Sequence, residues 1–228
     1  MRLQRQSNGQ FINLDRGSVL GIGGEACIYM VPQEPVLVAK VYHSPTDERA
    51  RKLTLMIANP PEDPMASHGH VSIAWAIDLL RTTDRSGRIT GFLMPRLTNM
   101  RTIIDFYNPK ARRDRNPLFN YRYLIRTARN LAAAVRALHE RGYVIGDVRG
   151  SNIFVSNTAL VTLIDTDSFQ VRDPASNIVY RCLVGTPEFT PPELQGKVFA
   201  EIDRTPEHDL FGLAVLIFQL LMEGTHPF

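Results

Sequence analysis

Short runs of hydrophobic residues, broken by glycine or proline, dominate the first part of the chain. SVLGIGG, ACIYMV and VLVAKVY, all within residues 11–42, are rich in Val, Ile and Tyr and predict β-strands. Residues 71–80 and 89–97 predict two more strands, joined by the polar turn TTDRSGR. Residues 46–57 have helical spacing, with Thr46 or Asp47 as N-cap, and the helix ends at Asn59-Pro60-Pro61. The first part therefore predicts an antiparallel sheet with one helix.

The hydrophobic spacing becomes helical in the second part of the chain. Apolar residues four, three, four and three positions apart predict an amphipathic helix that ends near Arg141-Gly142: Leu124, Ala128, Leu131, Val135 and Leu138. YVIGD, NIFV and VTLID predict short strands, and residues 105–120 predict a polar loop. The run Leu210–Met222 is too short for a bilayer, which takes about 20 residues, and predicts a buried helix. Strands first and helices later predict a two-lobed α+β molecule, with residues 1–97 in one lobe and 98–228 in the other.

Composition and charge narrow the class of protein. Of the 228 residues, 44% are hydrophobic and 21% charged, as in an ordinary globular domain. The net charge of +3 is small and scattered, so we expect no nucleic-acid partner; the basic run at 110–115 is either a solvated loop or a docking site for an acidic partner. Cys27 and Cys182 form no CxxC motif, and the N-terminus lacks the apolar core of a signal peptide. A cytoplasmic protein without a membrane span is therefore predicted.

Four groups of residues could carry chemistry, although each has a structural explanation when taken alone. The glycines of LGIGGEACIY, residues 20–29, would let backbone N–H groups approach a polyphosphate, or would simply form a hairpin. Lys40 lies among apolar residues of a strand, where a lysine usually extends to water. Asp147 and Asn152 stand five positions apart, and Asp165 follows a short strand. Each of these three could cap a loop or a turn.

Together these groups resemble the motifs of eukaryotic-type protein kinases, in family order and near family spacing. LHERGYVIGDVRGSNIFV is similar to the kinase catalytic loop. LIDTD stands where kinases carry DFG, and GTPEFTPPE is similar to the end of the activation segment. EHDLFGLA and GTHPF resemble the central helix of the second lobe and its exit loop. The resemblance covers about residues 18–228 and implies the kinase fold, ATP and Mg²⁺ as cofactors, and a protein substrate.

The resemblance also implies a role for each matching residue. Asp147 would orient the substrate hydroxyl, Arg149 would neutralise the γ-phosphate, and Lys40 would bind the α- and β-phosphates. Asn152 and Asp165 would hold Mg²⁺, a cation that prefers oxygen ligands. The other residues expected at the nucleotide are Gly21, Gly23, Ala26, Ile28, Ala39, Met94, Leu97 and Phe154.

The loops around the catalytic motifs depart from the family pattern. Gly146 replaces the arginine that grips an activation-loop phosphate, so we expect no switching by phosphorylation through that route. Thr166 replaces the phenylalanine of DFG, and Asp167 either adds an acid near the metal or caps a turn. Thr186 matches the threonine that Ser/Thr kinases place beside the catalytic aspartate, which favours Ser/Thr specificity.

Two further departures concern acidic partners. The helix glutamate that kinases pair with the strand lysine is not evident, and Glu48 and Glu25 are equal candidates for Lys40. Glu193 would lack its usual arginine, because the chain ends at Phe228, where three more helices are expected. We expect a truncated second lobe.

Three functions remain open at this point. The sequence favours an active, ATP- and Mg²⁺-dependent Ser/Thr protein kinase. The alternative is a pseudokinase, a nucleotide-binding or regulatory scaffold with little activity. A small-molecule kinase of the aminoglycoside type is disfavoured, because residues 185–193 resemble a peptide-positioning segment that those enzymes generally lack. The oligomeric state is left open.

Overall fold

The computed structural model describes all 228 residues, and the chain divides into two compact units. Unit 1 contains Met1–Pro60 and Ala74–Thr98, and unit 2 contains Pro61–Ile73 and Asn99–Phe228. Unit 1 thus ends at Thr98, one residue beyond the boundary at 97 that the sequence predicts between the two lobes. Unit 2 also takes in the segment before Ala74, which is joined to the strand residue Leu163 through a backbone hydrogen bond from Leu163 to Ser72.

Unit 1 consists of an antiparallel sheet and one helix, as the sequence predicts, and the sheet has seven strands. In chain order the elements are β1 (Arg2–Arg5), β2 (Phe11–Asn13), β3 (Val19–Ile22), β4 (Ala26–Met30), β5 (Leu37–Tyr42), α1 (Asp47–Ala58), β6 (Asp78–Thr82) and β7 (Ile89–Pro95). The strand order in the sheet is β2-β1-β6-β7-β5-β4-β3. The strand predicted over 71–80 is shorter and later than expected, since only Asp78–Thr82 pairs in the sheet.

Helix α1 begins and ends where its capping residues predict. The Thr46 side chain accepts a hydrogen bond from the Arg49 N–H at 3.2 Å, and Asn59 is the C-cap. The buried residues of α1 are Lys52, Leu53 and Met56. A lysine therefore shares the buried face of this helix with two apolar residues.

The sequence did not predict the N-terminal hairpin of β1 and β2, which extends the sheet beyond β6. Leu3 and Ile12 are cross-strand partners and are buried in one cluster with Leu80 and Leu93. Each short strand supplies one fully buried residue between more exposed neighbours, so its hydrophobic alternation is too short to recognise.

Asp78 fastens this hairpin to the rest of the sheet. Its carboxylate accepts hydrogen bonds from Arg5 Nε at 2.8 Å, Ser7 Oγ at 2.5 Å and the Ser7 N–H at 3.1 Å. Burial raises the pKa of Asp78, but the hydrogen bonds from Ser7 and Arg5 outweigh burial and hold the pKa below its ordinary value. Arg5 also pairs with Glu34 at 2.6 Å.

Unit 2 combines four helices with short strands. In chain order the elements are β8 (Met100–Thr102), α2 (Ile104–Tyr107), α3 (Pro109–Arg115), α4 (Tyr121–Glu140), β9 (Ile153–Ser156), β10 (Val161–Leu163), β11 (Val171–Arg172), β12 (Val179–Tyr180) and α5 (Pro206–Leu221). The strands form a three-stranded sheet, β10-β9-β8, and the separate hairpin of β11 and β12. Helices α4 and α5, both predicted, pack against each other. No helix of the chain is long and apolar enough to cross a membrane.

The polar loop predicted over 105–120 is wrong, because α2 and α3 occupy much of it. Asn108 caps α3 by accepting a hydrogen bond from the Ala111 N–H at 2.9 Å, and Pro109 takes the first helical position. Neither helix has the length that reveals hydrophobic periodicity. The basic run therefore lies on a helix, where Arg112 pairs with Glu223 and Arg115 with Asp105.

Candidate active site

Asp147 lies buried in the loop that follows α4, with its side chain held from two directions. Only 4% of the residue is exposed. The Thr186 hydroxyl donates a hydrogen bond to Asp147 Oδ1 at 2.8 Å, so the threonine expected beside this aspartate is found there. Arg149 Nε lies 3.0 Å from Asp147 Oδ2 at ion-pair distance, although its N–H is not aligned for a hydrogen bond. One carboxylate oxygen therefore faces a hydroxyl and the other a guanidinium.

Asp209 fixes the backbone of this loop from α5. Its carboxylate accepts hydrogen bonds from the N–H groups of Ile145, at 2.7 Å, and Gly146, at 2.8 Å. His139 Nε2, at the end of α4, lies 2.9 Å from the same carboxylate. Asp209 had no predicted role, although a carboxylate that directly precedes a long apolar run on a helix can become a buried anchor.

Asn152 and Asp165 lie on neighbouring backbone segments in unit 2. The Ile164 N–H donates to the Asn152 carbonyl at 3.0 Å, which fixes the residue before Asp165 against Asn152. Asp165 has left-handed backbone angles, with φ at +60°, and precedes a single 3-10 turn that runs from Thr166 to Ser168. An amide and a carboxylate in adjoining loops supply oxygen ligands of the kind that Mg²⁺ prefers. Thr166, at the DFG phenylalanine position, is buried, and Asp167 lies in the first turn of that 3-10 helix.

The glycine-rich turn in unit 1 has open surroundings. A Cβ built on Gly21 would meet no atom within 4 Å, and one on Gly23 would meet only the Ala26 carbonyl at 3.6 Å. The Gly23 N–H donates to that carbonyl at 2.9 Å, which closes the turn between β3 and β4. Ile22, the last residue of β3 before the turn, is 75% exposed. The backbone of this turn is therefore accessible to a ligand.

Strand pairing places Lys40 and Ala39 on opposite faces of the sheet. Lys40 is the cross-strand partner of Ile28, while Ala39 is the partner of Leu93 and lies with it in the hydrophobic core. The expected contact of Ala39 with adenine is thus a wrong assignment, because adjacent strand residues point to opposite faces. Val38, two positions before Lys40, shares the face of Lys40 and Ile28 and was not among the predicted site residues.

The two acids proposed as partners of Lys40 belong to more exposed residues than Lys40 itself. Lys40 is 8% exposed. Glu25 pairs with Arg49 at 2.9 Å and its side chain is 68% exposed. Glu48 is exposed on the first turn of α1. The pairing of Lys40 with Glu25 or Glu48 therefore stays a prediction.

Met94 and Leu97 lie where β7 ends in unit 1, and Phe154 lies on β9 in unit 2. Met94 pairs with Val38 and so shares the face of Lys40. The Arg96 N–H donates to the Val36 carbonyl at 2.8 Å, whereas the Leu97 N–H has no acceptor within the chain. This free donor fits the adenine-binding role expected of Leu97.

A family model described as the protein kinase domain matches residues 66–228, which is more than half of the chain. The chain belongs to the protein kinase family. Among curated relatives, this kinase domain is 36% identical over 223 residues to Protein kinase YegI of Escherichia coli strain K12. It is 35% identical over 101 residues to a probable cAMP-dependent protein kinase catalytic subunit of Encephalitozoon cuniculi strain GB-M1.

These matches differ in how much of each chain they cover. The YegI match spans 97% of this kinase domain but only 33% of YegI. The Encephalitozoon match spans 44% of this domain and 29% of that protein. The chain therefore spans about a third of the length of the bacterial relative.

Solved structures show the same fold at low sequence identity. A rhoptry antigen kinase domain of Toxoplasma gondii matches with a TM-score of 0.66 and 18% identity, covering 100% of this chain and 70% of that one. The ROP18 kinase domain, solved with AMP-PNP and sucrose, matches with a TM-score of 0.63 and 17% identity, covering 96% and 66%. The predicted two-lobed α+β kinase fold is confirmed.

Proposed function

We propose that this chain is the catalytic domain of a Ser/Thr protein kinase, which uses ATP and Mg²⁺ to phosphorylate hydroxyls of a protein substrate. The observation that carries the proposal is the contact of 2.8 Å between the Thr186 hydroxyl and the buried Asp147 carboxylate. Thr186 belongs to the segment that resembles the substrate-positioning part of Ser/Thr kinases. Cys27 and Cys182 are not joined in a disulfide, which fits the reducing cytoplasm expected for the protein.

In the proposed reaction, Asp147 orients the attacking hydroxyl and accepts its proton. A positioned carboxylate can do this only if its own rotamer is fixed. The Thr186 hydroxyl holds Oδ1, and Arg149 places a positive charge 3.0 Å from Oδ2. Arg149, whose side chain is 43% exposed, is also available to the negative charge of the transferring group.

The residues present fit ATP and Mg²⁺. Asn152 and Asp165 would hold Mg²⁺ through oxygen atoms, and the bound ion would neutralise phosphate charge. The open backbone around Gly21 and the buried cation of Lys40 supply groups that suit phosphate. The free N–H of Leu97 would donate to adenine, and Phe154 would contact its face.

The test is transfer of label from γ-labelled ATP to the chain itself and to dephosphorylated casein. We expect transfer that needs Mg²⁺, is abolished by EDTA and yields phosphoserine or phosphothreonine after acid hydrolysis. Asp165→Ala should lose transfer, because the metal ligand is gone. Asp173→Ala is the matched control, since Asp173 is a partly exposed loop aspartate whose carboxylate accepts hydrogen bonds from Ala175 and Ser176. Full transfer by Asp165→Ala, or phosphotyrosine as the product, would contradict the proposal.

A pseudokinase is the second candidate, and two sites favour it. Gly146 and Thr166 stand where active kinases have an arginine and a phenylalanine. A thermal-shift titration with ATP and Mg²⁺, run beside the transfer assay, distinguishes the two functions. Stabilisation by nucleotide with no transfer to any acceptor would select the pseudokinase.

A further inference from the structure

Arg204 is a buried arginine, in the segment before α5, that no motif accounts for. Only 4% of the residue is exposed, and its guanidinium lies 3.9 Å over the ring of Phe199. No carboxylate pairs with it. Burial of a charged group without an anion is costly unless hydrogen bonds satisfy it, so the acceptors of this guanidinium need explanation.

Those acceptors are two backbone carbonyls, one in the loop that carries Asp147 and one in the segment that carries Thr186. Arg204 Nη1 donates to the carbonyl of Gly146, the residue directly before Asp147. Arg204 Nη2 donates to the carbonyl of Val184 at 2.6 Å, two residues before Thr186. Because Thr186 itself donates to Asp147, the contacts form a closed ring through Asp147, Gly146, Arg204, Val184 and Thr186.

The backbone of Arg204 is held as firmly as its side chain. The Arg204 N–H donates to Gln170 Oε1 and the Gln170 amide donates back to the Arg204 carbonyl, both at 2.8 Å. Gln170 in turn exchanges backbone hydrogen bonds with Val144, at the start of the catalytic loop. The guanidinium therefore projects from a fixed point.

Gly146 is the residue that makes room for this guanidinium. A Cβ at Gly146 would lie 2.8 Å from Arg204 Nη1 and 2.7 Å from Cys182 Cβ, and the backbone there has φ at +78°. Arg204 thus fills the space beside the position where other kinases carry the phosphate-gripping arginine. Its planar fork suits two acceptors at once, which a lysine cannot match.

We propose that Arg204 is a positioning residue, which holds the Thr186 segment against the catalytic loop. Its guanidinium does so through hydrogen bonds to backbone carbonyls, so no phosphate group is needed. This inference rests on the proposed kinase activity for its catalytic consequence. Its structural consequence is independent of activity: the ring keeps Cys182, which is 1% exposed and adjoins both Gly146 and Arg204, shielded from solvent.

The experiment compares the wild type, Arg204→Lys, Arg204→Met and the control Arg172→Met, each after treatment with a broad-specificity phosphatase. Arg172 is a half-exposed arginine that pairs with Asp203. We measure kcat and KM for ATP, and the maleimide labelling rate of Cys182 by peptide mass, well below the melting transition. We expect phosphatase to leave wild-type activity unchanged. Arg204→Met should lower kcat by about 10- to 100-fold at unchanged KM, with Arg204→Lys between the two.

Cys182 labelling is the readout that does not need activity. We expect labelling about tenfold faster in Arg204→Met than in the wild type, because the segment opens locally, and no change in Arg172→Met. Gly146→Ala should also accelerate the labelling of Cys182, because the added methyl group would displace the Arg204 guanidinium. Loss of wild-type activity on phosphatase treatment, or wild-type kcat and labelling in Arg204→Met, would overturn the proposal. If the wild type transfers no phosphate, the proposed function fails, and the labelling rates alone decide whether Arg204 holds the segment.

Discussion

Asp78 in unit 1 and Asp209 in unit 2 are both nearly fully buried, and each carboxylate accepts three hydrogen bonds. The donors differ. Asp78 receives one backbone N–H and two side-chain donors, all from the N-terminal hairpin. Asp209 receives the two consecutive N–H groups that lead to Asp147, together with His139.

Under the proposed function, similar carboxylate chemistry serves stability in unit 1 and catalysis in unit 2. A carboxylate that binds consecutive backbone N–H groups fixes the path of the chain, and here that path leads directly to Asp147. A carboxylate that binds the side chains of an edge hairpin fixes only the hairpin. Mutations of the two aspartates should therefore separate activity from stability.

Asp209→Asn should have the largest effect on both properties. An amide offers one acceptor oxygen and turns an NH₂ group toward donors, so at least one N–H of the catalytic loop loses its partner. We expect transfer to fall about 100-fold or more and the free energy of unfolding to fall by about 3 kcal/mol. Transfer rates scaled to the folded fraction from urea denaturation check both. Wild-type turnover per folded molecule would contradict the anchoring role.

Asp78→Asn should affect stability but not turnover. We expect the free energy of unfolding to fall by about 2 kcal/mol, because the charge-assisted bonds from Arg5 and Ser7 weaken. Turnover per folded molecule should stay within about twofold of the wild type, an effect of less than 0.5 kcal/mol. A loss of turnover comparable to that of Asp209→Asn would show that the two aspartates do not divide the roles.

Ionisation of Asp78 should also make the free energy of unfolding depend on pH. Since its folded pKa is depressed, its contribution is fully present above the unfolded pKa of about 3.9 and is lost as pH falls through the folded value. The difference in unfolding free energy between wild type and Asp78→Asn should therefore be constant at neutral pH and shrink in acid. Urea denaturation from neutral to acidic pH measures this difference in unfolding free energy. A difference that grows in acid would contradict a depressed pKa for Asp78.

Substitution of an exposed acid should have the smallest effect on the free energy of unfolding, and it gives a baseline for the two buried aspartates. Glu140 pairs with Arg136 at 2.7 Å one helical turn away, and both side chains are more than half exposed. Glu140→Gln should change the free energy of unfolding by at most about 0.5 kcal/mol, because solvent screens the pair. A change as large as that of Asp78→Asn would show that burial is not what distinguishes these carboxylates.

Sequence patterns predicted the elements that are long or capped. Helix α1 follows from Thr46 and Asn59, and α4 from its repeating apolar residues. The N-terminal hairpin was missed because one fully buried residue per strand leaves no period to recognise. Ala39 was misassigned because its neighbour Lys40 lies on the opposite face of the strand.

Within the site, the family motifs predicted contacts between residues of the motifs, but no contact that involves a residue outside them. The contact between Thr186 and Asp147 joins two motifs and was expected from both. Arg204 stands 58 positions after Gly146, in no motif, and its contact depends on a fold that brings the two together. From the sequence, Gly146 indicated only that the usual arginine is absent. The packing around Gly146 shows that the Arg204 side chain occupies the space beside it.

The most direct test of the account is single-turnover phosphoryl transfer by the wild type and by Asp147→Asn, with nucleotide affinity measured in parallel by calorimetry. The account predicts that Asp147→Asn binds ATP and Mg²⁺ with an affinity close to that of the wild type. It also predicts that the variant transfers phosphate at least about 100-fold more slowly, because the group that orients the hydroxyl is neutralised. Equal transfer rates for the two proteins would contradict the account.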